Sequence, residues 1–162
     1  MANQKNQALL EALLFAADRL EHVSKVIEPA LDSDKVVIGD RYVFSSLAYQ
    51  FASGANIRWV RRINEFAPKP ELAIYLDLEV EECVGRSKNK GLALNKFEAD
   101  IRFRRKARQV FVSLSRRNLV KLIDSSRPPD QVRNEIEEEV LKVLRASELP
   151  TRKEAIPDHD VR

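Results

Sequence analysis

Three short apolar runs constrain this chain more than any other feature: residues 36–39 (VVIG), 72–78 (LAIYLDL) and 119–123 (LVKLI). Each has the length and the β-branched or aliphatic content of a buried strand, and long stretches of helical periodicity separate them. Strands joined through helices cannot pair as tight hairpins, so they pair in parallel through crossovers. The expected fold class is therefore α/β, a three-layer parallel sheet flanked by helices. A chain of 162 residues, 44% hydrophobic and 33% charged, can bury one core. One domain is expected over residues 1–146, followed by an aperiodic, proline-containing tail at 147–162 that reads as mobile.

From about residue 4 to 31, Leu9, Leu13, Ala16, Leu20, Val23, Ile27 and Leu31 recur at helical spacing. They predict a long amphipathic helix with those residues inward and a bend near Pro29. Phe15 and Arg19, four apart, share one face. Taken alone, Phe15 reads as core and Arg19 as solvated; together they could stack on a flat ring and hydrogen-bond its edge. Further helices are expected over 42–52, 57–66, 80–85, 95–116 and 131–145, the last capped by Asp130. Pro68 and Pro70 stop the helix before the second run. Arg58, Arg61 and Arg62 read as a wet face, as do the many cations from Arg102 to Arg108. Nucleic acid is not an expected partner, because no groove-reading motif accompanies those cations.

A net charge of +3 favours anionic ligands only weakly. A single cysteine, Cys83, excludes an internal disulfide and argues against a cysteine metal site. No run approaches the ~20 apolar residues of a membrane span, and no charged-then-apolar leader opens the chain. No membrane association is expected, and the expected location is cytoplasmic.

Gly39 ends the first run and sets Asp40 beside Arg41. The carboxyl ends of parallel strands are where open α/β sheets bind ligands. There a guanidinium fork suits phosphate oxygens, and an acid suits a metal carried with them. By itself the pair reads first as a strand-end salt bridge. Ser45, Tyr49 and Gln50 on the following helix are available for polar contacts.

Five strings, in order, resemble the thymidylate kinases, a family of P-loop nucleoside monophosphate kinases. They are LLFAADR (13–19), GDRYVFSSLAYQ (39–50), PKPELAIYLDL (68–78), RSKNKGLALNKFE (86–98) and IDSSRP (123–128), and the likeness spans about 9–144. The resemblance implies phosphoryl transfer from ATP to dTMP with Mg²⁺, giving dTDP. It implies Phe15 stacked on the thymine and Arg19 bonded to its edge. Arg41 would hold the acceptor phosphate, and Asp40 would stand near the Mg²⁺ through its water shell. Ser45, Tyr49 and Gln50 would line the nucleoside. Arg86, at the start of a lid, and Arg127 would flank the adenine of ATP. Phe97 falls where the family often has an aromatic, while Asn95 and Lys96 replace a common acid and arginine, with Lys88 and Lys90 as the nearest basic substitutes. The implied partner is a second copy, or an intact kinase subunit, joined through helices.

Family members open with a strand and a glycine-rich loop, G-x-x-x-x-G-K-[ST], that cradles the ATP phosphates. None of Gly39, Gly54, Gly85 and Gly91 frames one. The expected architecture is thus a P-loop kinase-like sheet, N-terminally truncated, with a gap between runs 36–39 and 72–78. Those runs would close up, accept a partner segment or leave the chain weak. Two functional expectations follow: a thymidylate-kinase-like phosphotransferase, or a non-catalytic nucleotide-binding or dimer-partner homologue.

Overall fold

Helices dominate the structure, a computed structural model that describes residues 2–89 and 100–147. Helix α1 (Ala2–His22) runs through a π-helical turn (Val23–Ile27) into α2 (Glu28–Leu31). Then come α3 (Val43–Ala52), α4 (Ile57–Arg62), strand β1 (Ile74–Asp77), α5 (Val80–Asn89), α6 (Ile101–Arg116), strand β2 (Lys121–Asp124) and α7 (Pro129–Ser147).

The long first helix forms as its periodicity predicts, with Ala16 and Val23 inward as expected, but its buried face is rotated toward the alanines. Ala8, Ala12, Ala16 and Val23 are buried, whereas Leu13, Leu20 and Leu31 are exposed. Small side chains on α1 gather with Ala48 of α3 in the core, which leaves Leu13 and Leu20 at the edge of the packed face. The bend expected at Pro29 appears upstream as the π-helical turn, where the Glu28 amide bonds to the Val23 carbonyl. Proline's ring crowds the carbonyl four residues back and removes a donor, and a wider turn absorbs both.

Helix α3 begins where the DRY string ends, and Gly54, at φ +103°, makes the turn out of it. The Asn56 side chain caps α4 and the Asp100 side chain caps α6, each accepting two backbone N–H groups. Helix α7 starts at Pro129, whose fixed φ suits a first helical position, so Asp130 lies inside the first turn and not at the cap. The core gathers Leu47, Ala48, Val60, Ala107, Val110, Phe111 and Leu114 around the α3–α6 contact. Tyr75 on β1 stacks on Phe111 with centroids 4.2 Å apart, and its burial pushes the phenol up to about 12.

The sheet departs most from expectation. β1 and β2 pair in parallel, Tyr75 opposite Leu122 and Leu76 opposite Ile123, as two of the three runs require. The first run, 36–39, is not a strand: Val36 is 65% and Ile38 92% exposed. A strand completes its backbone hydrogen bonds only through a neighbour, and no described segment pairs with this one. The three-layer sheet is therefore reduced to two strands among helices, consistent with a truncated α/β fold. Residues 90–99, which carry most of the expected lid with Asn95, Lys96 and Phe97, and the tail beyond 147 lie outside the described residues.

Candidate functional site

Helix α1 carries Phe15 and Arg19 one turn apart, and their environments reverse the reading of each taken alone. Phe15 is 52% exposed, and the charged Arg19 only 9%. Arg19 reaches between α3 and the end of α4. Its Nη2 donates to Ser46 Oγ at 2.8 Å, its Nη1 donates to Asn64 Oδ1, and its guanidinium lies 5.5 Å from the centre of the Tyr42 ring. No carboxylate bridges to it among the described residues. Burial lowers its pKa, opposed by the Tyr42 and Asp18 charges; burial likewise raises that of Tyr42. The Tyr42 hydroxyl is buried without a hydrogen-bond partner.

Asp40 and Arg41 stand together just before α3, and no ion pair joins them, so the strand-end salt bridge fails on both counts. Arg41 adopts φ +72°, a left-handed conformation that a non-glycine residue holds at a cost of about 1–3 kcal/mol. The turn swings its guanidinium over the Tyr49 ring, 5.4 Å from the centroid. Tyr49 in turn lies parallel to Phe103 of α6 at 6.0 Å. Ser45 is half-buried, and Gln50 turns inward, with its Oε1 buried and unpartnered. The serine that reaches Arg19 is therefore Ser46, which sequence reading passed over, as it did Asn64. Ser46 was within reach: it shares a helical face with Gln50, four residues on. Asn64 lies outside every matching string and carried no signal.

Arg86 and Arg127 meet at the carboxyl end of the sheet. They border an open cavity of about 300 Å³ with Ser125, Pro129, Val132, Arg133 and Ile136. Arg86 donates to the Ser125 carbonyl at 3.1 Å and to Glu82 at 2.7 Å. Arg127 donates to the Asp124 carbonyl at 3.1 Å and to Glu135. Both guanidinium planes are thereby held at the edge of a partly apolar hollow. Nearby, Arg108 of α6 forks onto Asp77 at 2.7 and 2.8 Å and also reaches Glu79, while Arg105 pairs with Glu81. Part of the basic face expected to be merely solvated thus ties α6 to β1 and α5.

Among the described residues no three His, Cys, Asp or Glu side chains gather as a metal cage. A single exposed Asp40 beside an arginine fits Mg²⁺ held mainly by phosphate oxygens and water, the usual way this ion binds with nucleotides. The hollow at Arg86 and Arg127, apolar on one wall and cationic at its rim, fits a flat heteroaromatic ring. No helix of the described residues is long and apolar enough to cross a membrane.

A family model described as thymidylate kinase matches residues 1–136. Curated proteins named "probable thymidylate kinase" are similar to this chain. That of Pyrococcus abyssi is 53% identical over 105 residues, covering 65% of this chain and 51% of the relative. That of Thermococcus kodakarensis is 42% identical over 127 residues, covering 78% and 62%. That of Staphylothermus marinus is 41% identical over 143 residues, covering 88% and 71%. The chain thus spans about half the length of the Pyrococcus relative and less than two thirds of the Thermococcus one.

Proposed function

This chain belongs to the thymidylate kinase family, and from that premise we propose that it forms the dTMP side of a site for phosphoryl transfer from ATP to dTMP. The supporting observation is the cluster on α1 and α3. An exposed ring (Phe15) stands one turn from a buried, uncompensated guanidinium (Arg19). A second guanidinium (Arg41) is presented by a strained turn beside an acid. Phe15 stacks on the base, Arg19 bonds its edge and Arg41 takes the phosphate. Ser45, Tyr49 and Gln50 border the nucleoside. Asp40 orders the water shell of Mg²⁺, which when bound neutralises phosphate charge. Arg86 and Arg127 receive the adenine of ATP. Phosphoryl transfer needs positioning and charge cancellation more than a nucleophilic side chain, and these groups supply both.

Within these 162 residues no glycine pair frames a phosphate cradle. That favours a second reading for this chain by itself, a nucleotide-binding partner of another subunit. Calorimetry with dTMP and with ATP, together with a dTDP assay, separates the two. Turnover of both nucleotides supports the kinase, dTMP binding without ATP binding supports the partner role, and binding of neither sinks both.

The proposed partner surface is the outer face of α1. Leu10 and Leu14 are exposed there opposite the buried alanines, with Leu13 and Leu20 exposed beside them. A helix apolar on both faces is normally covered on both, and we assign the second cover to another copy or an intact kinase subunit. Leu13→Glu should convert a dimer to monomer by light scattering; an unchanged mass would remove this face from consideration.

A further inference from the structure

We infer that Asn64 is a positioning residue that holds the Arg19 guanidinium aimed and uncompensated, so that its free N–H groups meet a carbonyl on the edge of the bound base. The inference rests on the reading of Arg19 as a base-edge donor given above. Asn64 is 4% exposed and sits just past α4, within the turn that follows it. Its Nδ2 donates to the Val60 carbonyl at 2.7 Å, so its Oδ1 faces Arg19 Nη1. That bond fixes the sense of the amide, because the opposite sense would set N–H against N–H and leave the Val60 carbonyl facing oxygen.

The chemistry of the partner is what matters. A carboxylate here would bind the guanidinium more strongly, but it would cancel the charge and compete for its fork. An amide oxygen holds one N–H and leaves the charge intact. A guanidinium has five N–H donors. Asn64 and Ser46 each take one, and no described residue takes the others. The Tyr42 hydroxyl, also unpartnered, belongs to the same cluster. The guanidinium there has N–H groups in want of an acceptor. A pyrimidine edge bearing a carbonyl satisfies it, whereas an edge bearing an amino group opposes donor to donor. Without Asn64 the guanidinium would keep its burial but lose its aim.

Calorimetry on the chain with dTMP and with dCMP, beside thermal melting, tests this with three variants. Asn64→Asp keeps an acceptor at the same point and gains an ion pair to Arg19, against the lost Nδ2 donor to the Val60 carbonyl, so it should still fold. Yet it should lose dTMP affinity by about tenfold or more, the scale of one charge-assisted hydrogen bond, and narrow the preference over dCMP. A merely structural Asn64 predicts parental affinity and preference in Asn64→Asp, and that result overturns the inference. Arg19→Met separates the two levels. If it abolishes dTMP binding while Asn64→Asp binds normally, only the role of Asn64 is wrong. If Arg19→Met also binds normally, the base-edge reading of Arg19 falls, and this inference with it. Should Asn64→Asp fail to fold, Asn64→Ser, a neutral acceptor lacking the lock to Val60, should lose several-fold in affinity by the same reasoning; parental affinity there overturns the inference.

Discussion

The seam between α1 and α3 and the run at 36–39 are both apolar in sequence, yet one is closed and the other is open. At the seam Ala8, Ala12 and Ala48 are almost wholly buried. In the run, Val36 and Ile38 stand in solvent, and β1, the nearest strand in sequence, pairs only with β2 among the described residues. The difference lies in where each backbone finds its hydrogen bonds. A helix satisfies its own N–H and C=O groups within the segment, so it needs a neighbour only for its side chains. A strand needs the neighbour for its backbone as well. Helical parts of an interrupted α/β fold therefore keep their shape, and the sheet loses whatever strands have no partner. The residues proposed for the acceptor side divide along this line: Phe15, Arg19, Tyr49 and Gln50 ride on helices, whereas Asp40 and Arg41 sit at the end of the open run.

The largest expected effect tests the comparison directly. Ile123 on β2 is fully buried, and Ile123→Ala should destabilise by about 2–5 kcal/mol, the range for large core truncations. Ile38→Ala, on the open run, should change stability by less than about 0.5 kcal/mol. Urea unfolding of both variants measures the pair. Equal costs would mean that the run packs against something in solution, and the comparison would break.

The helices could be read from the sequence because their periodicity is a local property. What shifted was the direction of α1, since Ala16 and Val23 turn inward as expected while Leu13, Leu20 and Leu31 do not. Hydropathy alone turns Leu13 and Leu20 inward, but the packed face is chosen by how closely two backbones can approach, and alanine permits the closer contact. The strand at 36–39 failed for a non-local reason, since nothing in VVIG says whether a neighbour exists. Two of three strands were right because they are neighbours of each other. At the candidate site, the strings around Phe15, Arg19 and Arg41 drew attention to these groups but said nothing of their environments. Arg19 was expected in solvent and is buried, because its partners Ser46 and Asn64 come from elements distant in sequence. Arg86 and Arg127, far apart in the chain, were joined on resemblance, and the structure brings them to one cavity.

The boundary between the closed and open regions supplies the next effect, which is on binding. Arg41→Ala should reduce dTMP affinity by about tenfold to a hundredfold, as expected for hydrogen bonds to a charged phosphate. Arg62→Ala, a cation on the wet face of α4, should change it little. Titration calorimetry on both variants is the check, and equal losses would mean that the grip is not at Arg41. Phe15→Ala sharpens the closed side. Because the ring is exposed, its removal should leave the melting temperature nearly unchanged. It should still weaken dTMP binding by roughly threefold to tenfold through lost stacking. A drop in melting temperature without loss of affinity would return Phe15 to a packing role.

The smallest effect concerns the side of the sheet that α7 covers. Lys121 on β2 donates to Glu139 of α7 at 3.0 Å, and Lys142 donates to the same oxygen at 2.8 Å. The bond from Lys142 first, and that from Lys121 second, hold the Glu139 carboxyl below the usual glutamate range. A folded-state value depressed below the unfolded one means that the unfolded chain takes up the proton first on acidification. The resulting stabilisation is fully present above the unfolded value, near ~4.3, and disappears as pH falls through the lower folded one. Glu139→Gln removes that dependence. Its stability should fall slightly at neutral pH and converge on the parent's on the acid side, giving a shallower acid limb in urea unfolding followed against pH. A parental acid limb in the variant would mean that α7 does not anchor β2 through this acid, and the sheet's covered side would then rest on apolar packing at Ile123 and Val132.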